Sequence, residues 1–310
     1  MTDAARAAAA DVDAEAPIGL DGQPHGQPVL DRLVALLDLE SIEQDIYRGV
    51  SPTKSPVRVF GGQVAGQALV AAGRTVPADR IVHSLHAYFV RGGDPRAPIV
   101  YEVDRTRDGR SFTTRRVTAI QHGKPIFTLS ASFQLPQSGF EHADPMPHVP
   151  DPESLPTFGE LSASIPERSD IALAQVPRPI DIRYVTEPPW ISRTTGPREA
   201  RNLVWMRADG KLPDSPLLHV CVLAYCSDLT LLDSVLAKHG VYWGMDNVLG
   251  ASLDHAMWFH RPFRADEWFL YDCASPTASG ARGLATGRFF AQDGTYIATV
   301  VQEGLVRRVS

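Results

Sequence analysis

The sequence predicts an α+β protein made by duplication: two antiparallel sheets, each wrapping a long central helix. Three observations carry this. A helix of small residues is followed by strands with period-two hydrophobic alternation. The same succession recurs in the second half. The offset between the halves is constant, with Phe89 and Phe259, and Tyr101 and Tyr271, 170 positions apart. Gly109 and Gly280, and Gly123 and Gly294, stand 171 apart, so one inserted residue accounts for the change.

Residues 1–29, beginning MTDAARAAAADVDAEAPIG, lack the cationic start, apolar core and cleavage site of a secretory leader. They are expected to form a disordered cytoplasmic extension. Leu33, Val34, Leu36, Leu37 and Leu39 then mark a short amphipathic helix in VLDRLVALLDLESIE, its acidic end facing solvent. VRVFGGQVAGQALVAAGRTV passes from β-branched to small residues and reads as a strand entering a buried helix. Gly66, Ala68, Ala71 and Ala72 would admit another backbone closely, although Gly66 costs about 1 kcal/mol of helix propensity. IVHSLHAYFVR, PIVYEVDRTRDGRSFTTRRVTAIQH and KPIFTLSASFQ read as strands, punctuated by Asp108-Gly109 and His122-Gly123.

Proline becomes frequent from Pro136 to Pro189, which suits a long connection plus a first strand. The expected divisions are a first domain over 30–135, a linker over 136–178 and a second domain over 179–310. AYCSDLTLLDSVLAKHG repeats the helix, and LDHAMWFHRPF, WFLYDCASPTASGARGLATGRFFAQ and TYIATVVQEGLVRR repeat the strands. Strand, buried helix and antiparallel meander make the hot-dog arrangement. A tandem (double) hot-dog would join sheet edge to sheet edge.

Composition excludes several function classes. With 44% hydrophobic and 21% charged residues and no apolar run near the 18 that span a bilayer, membrane insertion is not expected. A net charge of -6 argues against nucleic acid. Cys221, Cys226 and Cys273 form no C-x-x-C pair, so neither a disulfide framework nor a zinc site is expected, and a reducing cytoplasm fits. Phosphate-loop, dinucleotide and H-E-x-x-H motifs are absent, implying no cofactor and no metal. No G-x-S-x-G elbow supports a covalent serine mechanism. His255 and His260 do not share a helical face, and a lone histidine here reads as structural.

Carboxylate and amide chemistry remains. Asp228 stands in CSDLTLL, read as the start of the second helix, where it could accept backbone N–H groups at the positive end of the dipole. Alone it reads as a helix cap. Ser252, 24 residues later, and Gln302, in VQEG, read singly as ordinary strand residues.

Their context changes that. VFGGQVAGQALVAA, HSLHAYFVRGGD, RDGRSFTTRRVTAIQHGKPIF, SLDHAMWFHRPF, ASGARG and VQEG, in this order over most of residues 57–305, resemble the signature segments of the acyl-CoA thioesterase II family. The resemblance implies hydrolysis of medium- to long-chain fatty acyl-CoA, with Asp228, Ser252 and Gln302 positioning the hydrolytic water. Many members carry threonine where this chain has Ser252, which keeps the hydroxyl but relaxes χ1. It also implies a homo-oligomer, dimer or tetramer. Gln63 is matched to Asp228, so the first half is expected to have lost its base. Coenzyme A is a polyanion, and Arg107, Arg110, Arg115, Arg116, Arg261 and Arg282 are the candidates to grip its phosphates. Each taken singly also reads as solvated strand decoration. Tyr88, Phe89, Trp258, Phe259 and Trp268 read as sheet core, some lining the acyl tunnel.

Two rivals stand beside this reading. A hydratase acting on enoyl-CoA would need an Asp and His pair, and its D-x-N-P-x-H segment is missing. A non-catalytic acyl-CoA sensor would keep the fold but lose the base. The C-terminal RRVS is not of the peroxisomal S-K-L type.

Overall fold

The computed structural model describes residues 16–20, 22–52, 58–163 and 178–309. Most of the expected N-terminal extension, residues 1–15, lies outside these. His25, Gly26 and Gln27, assigned by sequence to the same extension, hold to the second half. The Asp209 carboxylate accepts the Gly26 N–H at 2.7 Å and lies 3.3 Å from His25, while Gln27 Oε1 accepts the Lys211 N–H at 2.6 Å.

Helix α1 (Gln27–Leu37) buries Val29, Leu30, Leu33 and Leu37 as one stripe and has proline in its first turn. It ends before the acidic segment, which forms exposed strand β1 (Glu40–Glu43) paired with β2 (Ile46–Gly49). β2 in turn occupies the edge of β4 (Ile99–Asp108). The strand expected at VRVF begins outside the described residues at Val57, and its described part, Arg58–Phe60, leads directly into helix α2 (Gly61–Gly73) without pairing as a strand. β3 (Ile81–Phe89), β4, β5 (Phe112–Gln121) and β6 (Lys124–Gln134) complete the first half.

After α3 (Phe158–Ala163) the second half comprises β7 (Ile180–Tyr184), α4 (Pro189–Ser192), β8 (Arg201–Ala208), α5 (Pro216–Ser227) and α6 (Asp233–His239). It continues with β9 (Val248–Ser252), β10 (Asp254–Phe259), β11 (Phe269–Ser279), β12 (Arg282–Ala291) and β13 (Tyr296–Arg308). The helix expected over AYCSDLTLLDSVLAKHG is therefore two helices. α5 starts earlier, where Ser215 accepts the Leu218 N–H and Pro216 fits the first turn, and it stops at Ser227.

Among the described residues the strands form one antiparallel sheet of 13, in the order β1-β2-β4-β5-β6-β3-β10-β13-β12-β11-β8-β7, with β9 added to β13. The two halves meet edge to edge at β3 and β10, where His86 faces Ala256. These residues are 170 apart, so the duplication's approximate two-fold axis passes through that pair. α2 and α5 lie antiparallel against the sheet. Glycines let their backbones touch: a methyl on Gly62 would sit 2.5 Å from the Tyr225 carbonyl oxygen, and one on Gly66 3.2 Å from that of Cys221. One continuous core links both helices to both sheet halves.

The proline-rich connection also packs. Met146, Val149 and Leu155 cover Leu203, Trp205, Trp268, Leu270 and Phe290 on the outer face of the second half. Trp205 Nε1 donates to the Pro150 carbonyl and Trp268 Nε1 to Glu153, each at 3.0 Å.

Candidate active site

The end of α5 places Asp228. It is the C-cap of that helix, at φ −92° and ψ 0°, and not an N-cap as the sequence suggests. Its own helix dipole therefore opposes its negative charge. Compensation comes from the other half of the chain, since α5 runs antiparallel to α2 and the N-terminal turn of α2 abuts the carboxylate. The Gly62 N–H donates to Asp228, and a methyl on Gly61 would lie 2.5 Å from Asp228 Oδ2. Only glycine fits there.

β9 and β13 place the other two groups. Ser252 ends β9 opposite Gly304, and Gln302 lies fully buried on the helix-facing side of β13. Ser252 Oγ donates to Asp228 Oδ1 at 3.0 Å, and Gln302 Nε2 donates to the same oxygen at 3.0 Å and to Ser252 Oγ at 2.7 Å. The three predicted residues thus meet in one cluster.

A fourth residue joins them. His255, on β10 and 1% exposed, lies with Nδ1 2.7 Å from Gln302 Oε1 and Nε2 2.8 Å from Ser227 Oγ. Sequence reading set this histidine aside as structural. A signal was available: strand alternation puts it on the helix-facing side with Met257 and Phe259, where it alone is polar.

Burial sets the electrostatics. Desolvation raises the Asp228 pKa above the usual carboxylate range, against the pull of the His255 charge and of hydrogen bonds from Gln302, Ser252 and Gly62. Burial lowers the His255 pKa, against the nearby Asp228 charge and the Gln302 hydrogen bond, so the imidazole is favoured neutral.

The duplicated position carries no such site. By the same offsets His255 corresponds to Leu85, Ser252 to Val82 and Gln302 to Ala131, all buried and apolar. Gln63 is not the counterpart of Asp228, because it stands at the start of α2 whereas Asp228 ends α5. Its amide donates instead to the Val50 carbonyl at 3.0 Å and to Ser51 at 3.2 Å. The C-cap position of α2 is held by Arg74.

The arginines are dispersed. Arg107, Arg110 and Arg116 are exposed on the β4–β5 hairpin, which β6, β3 and β10 separate from β13. Arg116 points away from the helices. Arg115 is buried at 1% exposure and spent on Thr75, Asp108 and the carbonyls of Arg107 and Thr114, a structural knot that rules it out as a phosphate ligand. Arg261 donates to the Tyr296 carbonyl at 3.1 Å. Arg282 pairs with Glu303, the neighbour of Gln302, at 2.9 Å and lines a surface cleft of about 300 Å³ together with His239 and Arg308. Of the aromatic residues, Trp268 and Phe89 pack in the sheet as expected, while Tyr88 is 65% exposed on the outer face. No group of three or more metal-ligating side chains occurs among the described residues.

Sheet and paired helices, with a polar cluster between them, define a double hot-dog protein. Residues 174–305 match the acyl-CoA thioesterase family, and residues 51–134 match the acyl-CoA thioesterase N-terminal domain. Human acyl-coenzyme A thioesterase 8 is 43% identical over 297 residues, covering 92% of each chain. The crystal structure of acyl-CoA thioesterase II TesB2 from Mycobacterium marinum is 45% identical, covers 90% of this chain and 99% of its own, and superposes with a TM-score of 0.73. A protein with hot dog fold from Alicyclobacillus acidocaldarius, 22% identical, covers 90% of this chain and 99% of its own with a TM-score of 0.72, a likeness of fold alone. The chain belongs to the acyl-CoA thioesterase II family.

Proposed function

We propose that this protein hydrolyses medium- to long-chain fatty acyl-CoA to fatty acid and free coenzyme A, with Asp228 as general base. The observation that carries the proposal is the convergence of Ser252, Gln302 and the Gly62 N–H on one buried carboxylate with a raised pKa. A carboxylate accepts about four hydrogen bonds, and these donors take three. The fourth place suits a water, which can also donate to the remaining lone pair of Ser252. Its oxygen attacks the thioester carbonyl carbon as its proton passes to Asp228. The resulting oxyanion would be held by the remaining N–H groups of the first turn of α2, and its collapse breaks the C–S bond. The thiolate leaves and takes up the proton. No acyl-enzyme forms.

A hydratase reading lacks support, because His255 is enclosed behind Gln302 and cannot reach a substrate carbon. Among the candidate arginines we assign Arg282 to the CoA phosphates, since its cleft adjoins β9 and β13, the strands of Ser252 and Gln302. A cytoplasmic location is supported by three free, buried cysteines. No helix among the described residues is long and apolar enough to cross a membrane. A homo-oligomer is expected from the family resemblance, and light scattering would measure it.

Thiol release from acyl-CoAs of increasing chain length tests the reading. Folded Asp228→Ala should lose turnover by roughly 10²–10⁴-fold, and Arg282→Gln should raise KM with kcat little changed. Wild-type binding without thiol release would favour the sensor, and full turnover by the Asp228 variant would reduce that residue to a helix cap.

A further inference from the structure

The polar cluster contains a group that the proposed chemistry does not use. We infer that His255 is a positioning residue that locks the Gln302 amide in its working orientation through a hydrogen bond from Nδ1–H to Gln302 Oε1, with Ser227 holding the far side of the ring.

The argument rests on hydrogen-bond accounting. Gln302 has two N–H bonds and spends them on Asp228 Oδ1 at 3.0 Å and Ser252 Oγ at 2.7 Å. A flipped amide would press its oxygen against the carboxylate, so with Asp228 ionised only one orientation is tolerable. Oε1 must then accept, and His255 Nδ1, 2.7 Å away, must carry a hydrogen. In the neutral ring that leaves Nε2 as an acceptor, and Ser227 Oγ, 2.8 Å from both Nε2 and the Ala224 carbonyl, turns its one hydrogen to the ring. Ser227 is itself fixed, since its carbonyl accepts the Tyr271 hydroxyl at 2.8 Å. The chain Tyr271–Ser227–His255–Gln302–Asp228 thus transmits the position of the helix end to the carboxylate from behind. Burial of all its inner members makes each link matter, because an unmet polar group there has no water to turn to.

This inference rests on the hydrolase reading and is tested within it by a double-mutant cycle on acyl-CoA hydrolysis. His255→Leu should lower kcat by about tenfold or more with KM nearly unchanged, because the ring does not touch substrate. Its acid limb should move to higher pH, as Asp228 loses the well-oriented Gln302 hydrogen bond that holds its pKa down. His255→Asn, which offers an amide donor in place of Nδ1–H, should recover part of kcat. In a Gln302→Leu background His255→Leu should cost almost nothing further. Equal kcat losses in both backgrounds, or an unmoved acid limb, would overturn the inference while leaving the hydrolase reading intact. Full turnover by Gln302→Leu alone would sink the site itself. Should His255→Leu not fold, Ser227→Ala replaces it, with a several-fold fall in kcat expected only where Gln302 is present and equal falls overturning the inference.

Discussion

Asp228 shows how one residue is held in a costly state. Its carboxylate is buried at the negative end of its own helix, and desolvation raises its pKa despite three donors. For the proposed general base this has a direct sign: kcat falls as pH drops through the raised pKa, so the acid limb should lie above the ordinary carboxylate range. For stability the sign is opposite to that of a salt-bridged carboxylate. A raised folded-state pKa stabilises the protein below the unfolded pKa, and this contribution is lost as pH rises through the folded one. The ionised Asp228 is therefore a burden at neutral pH. Asp228→Asn should abolish most turnover yet leave the thermal midpoint at pH 7.5 equal or higher, whereas a clear drop would show that the charge itself supports the fold. Asp228, Ser252 and Gln302 were legible because the family pattern names them. His255 was not, because a histidine in a strand reads as structural until its partner across the sheet is known.

At the scale of elements, the helices carry the most exacting contacts. Gly62→Ala tests them, since alanine gains about 1 kcal/mol of helix propensity while its methyl would lie 2.5 Å from the Tyr225 carbonyl oxygen. Overpacking costs about 1–3 kcal/mol and should win, lowering the denaturation midpoint. It should also lower kcat, because the shift moves the α2 N–H groups away from Asp228. A more stable Gly62→Ala would mean that the helices can separate freely. Sequence reading foresaw this close approach from the small residues of α2, but it missed β8 and the break between α5 and α6, among other features, for identifiable reasons. β8 is apolar on both faces, inner residues meeting the core and outer ones the proline-rich strap, so the period-two signal vanishes. The break between α5 and α6 falls in DLTLL, whose leucines suit a helix; tertiary demand at Asp228 overrides that preference.

At the scale of the molecule, the two halves share one sheet, one core and one site. β3 and β10 join them by backbone hydrogen bonds, and the second half's carboxylate depends on a glycine of the first. Among the described residues the proposed site thus draws its parts from both copies, with the counterpart position filled by Leu85, Val82 and Ala131. Such interdependence predicts a single unfolding transition. The chain offers a convenient probe, because all five tryptophans, Trp190, Trp205, Trp243, Trp258 and Trp268, lie in the second half. Their fluorescence should lose its native signal at the same denaturant concentration as far-UV circular dichroism, which reports both halves. A lesion confined to the first half sharpens the test. Leu69 is fully buried in α2, and Leu69→Ala should cost about 2–5 kcal/mol. If the halves are one cooperative unit, that cost shifts the tryptophan transition as far as the circular dichroism transition. A fluorescence midpoint that stays at its wild-type value would mean that the second half folds by itself, and that the seam at β3 and β10 joins two independent domains.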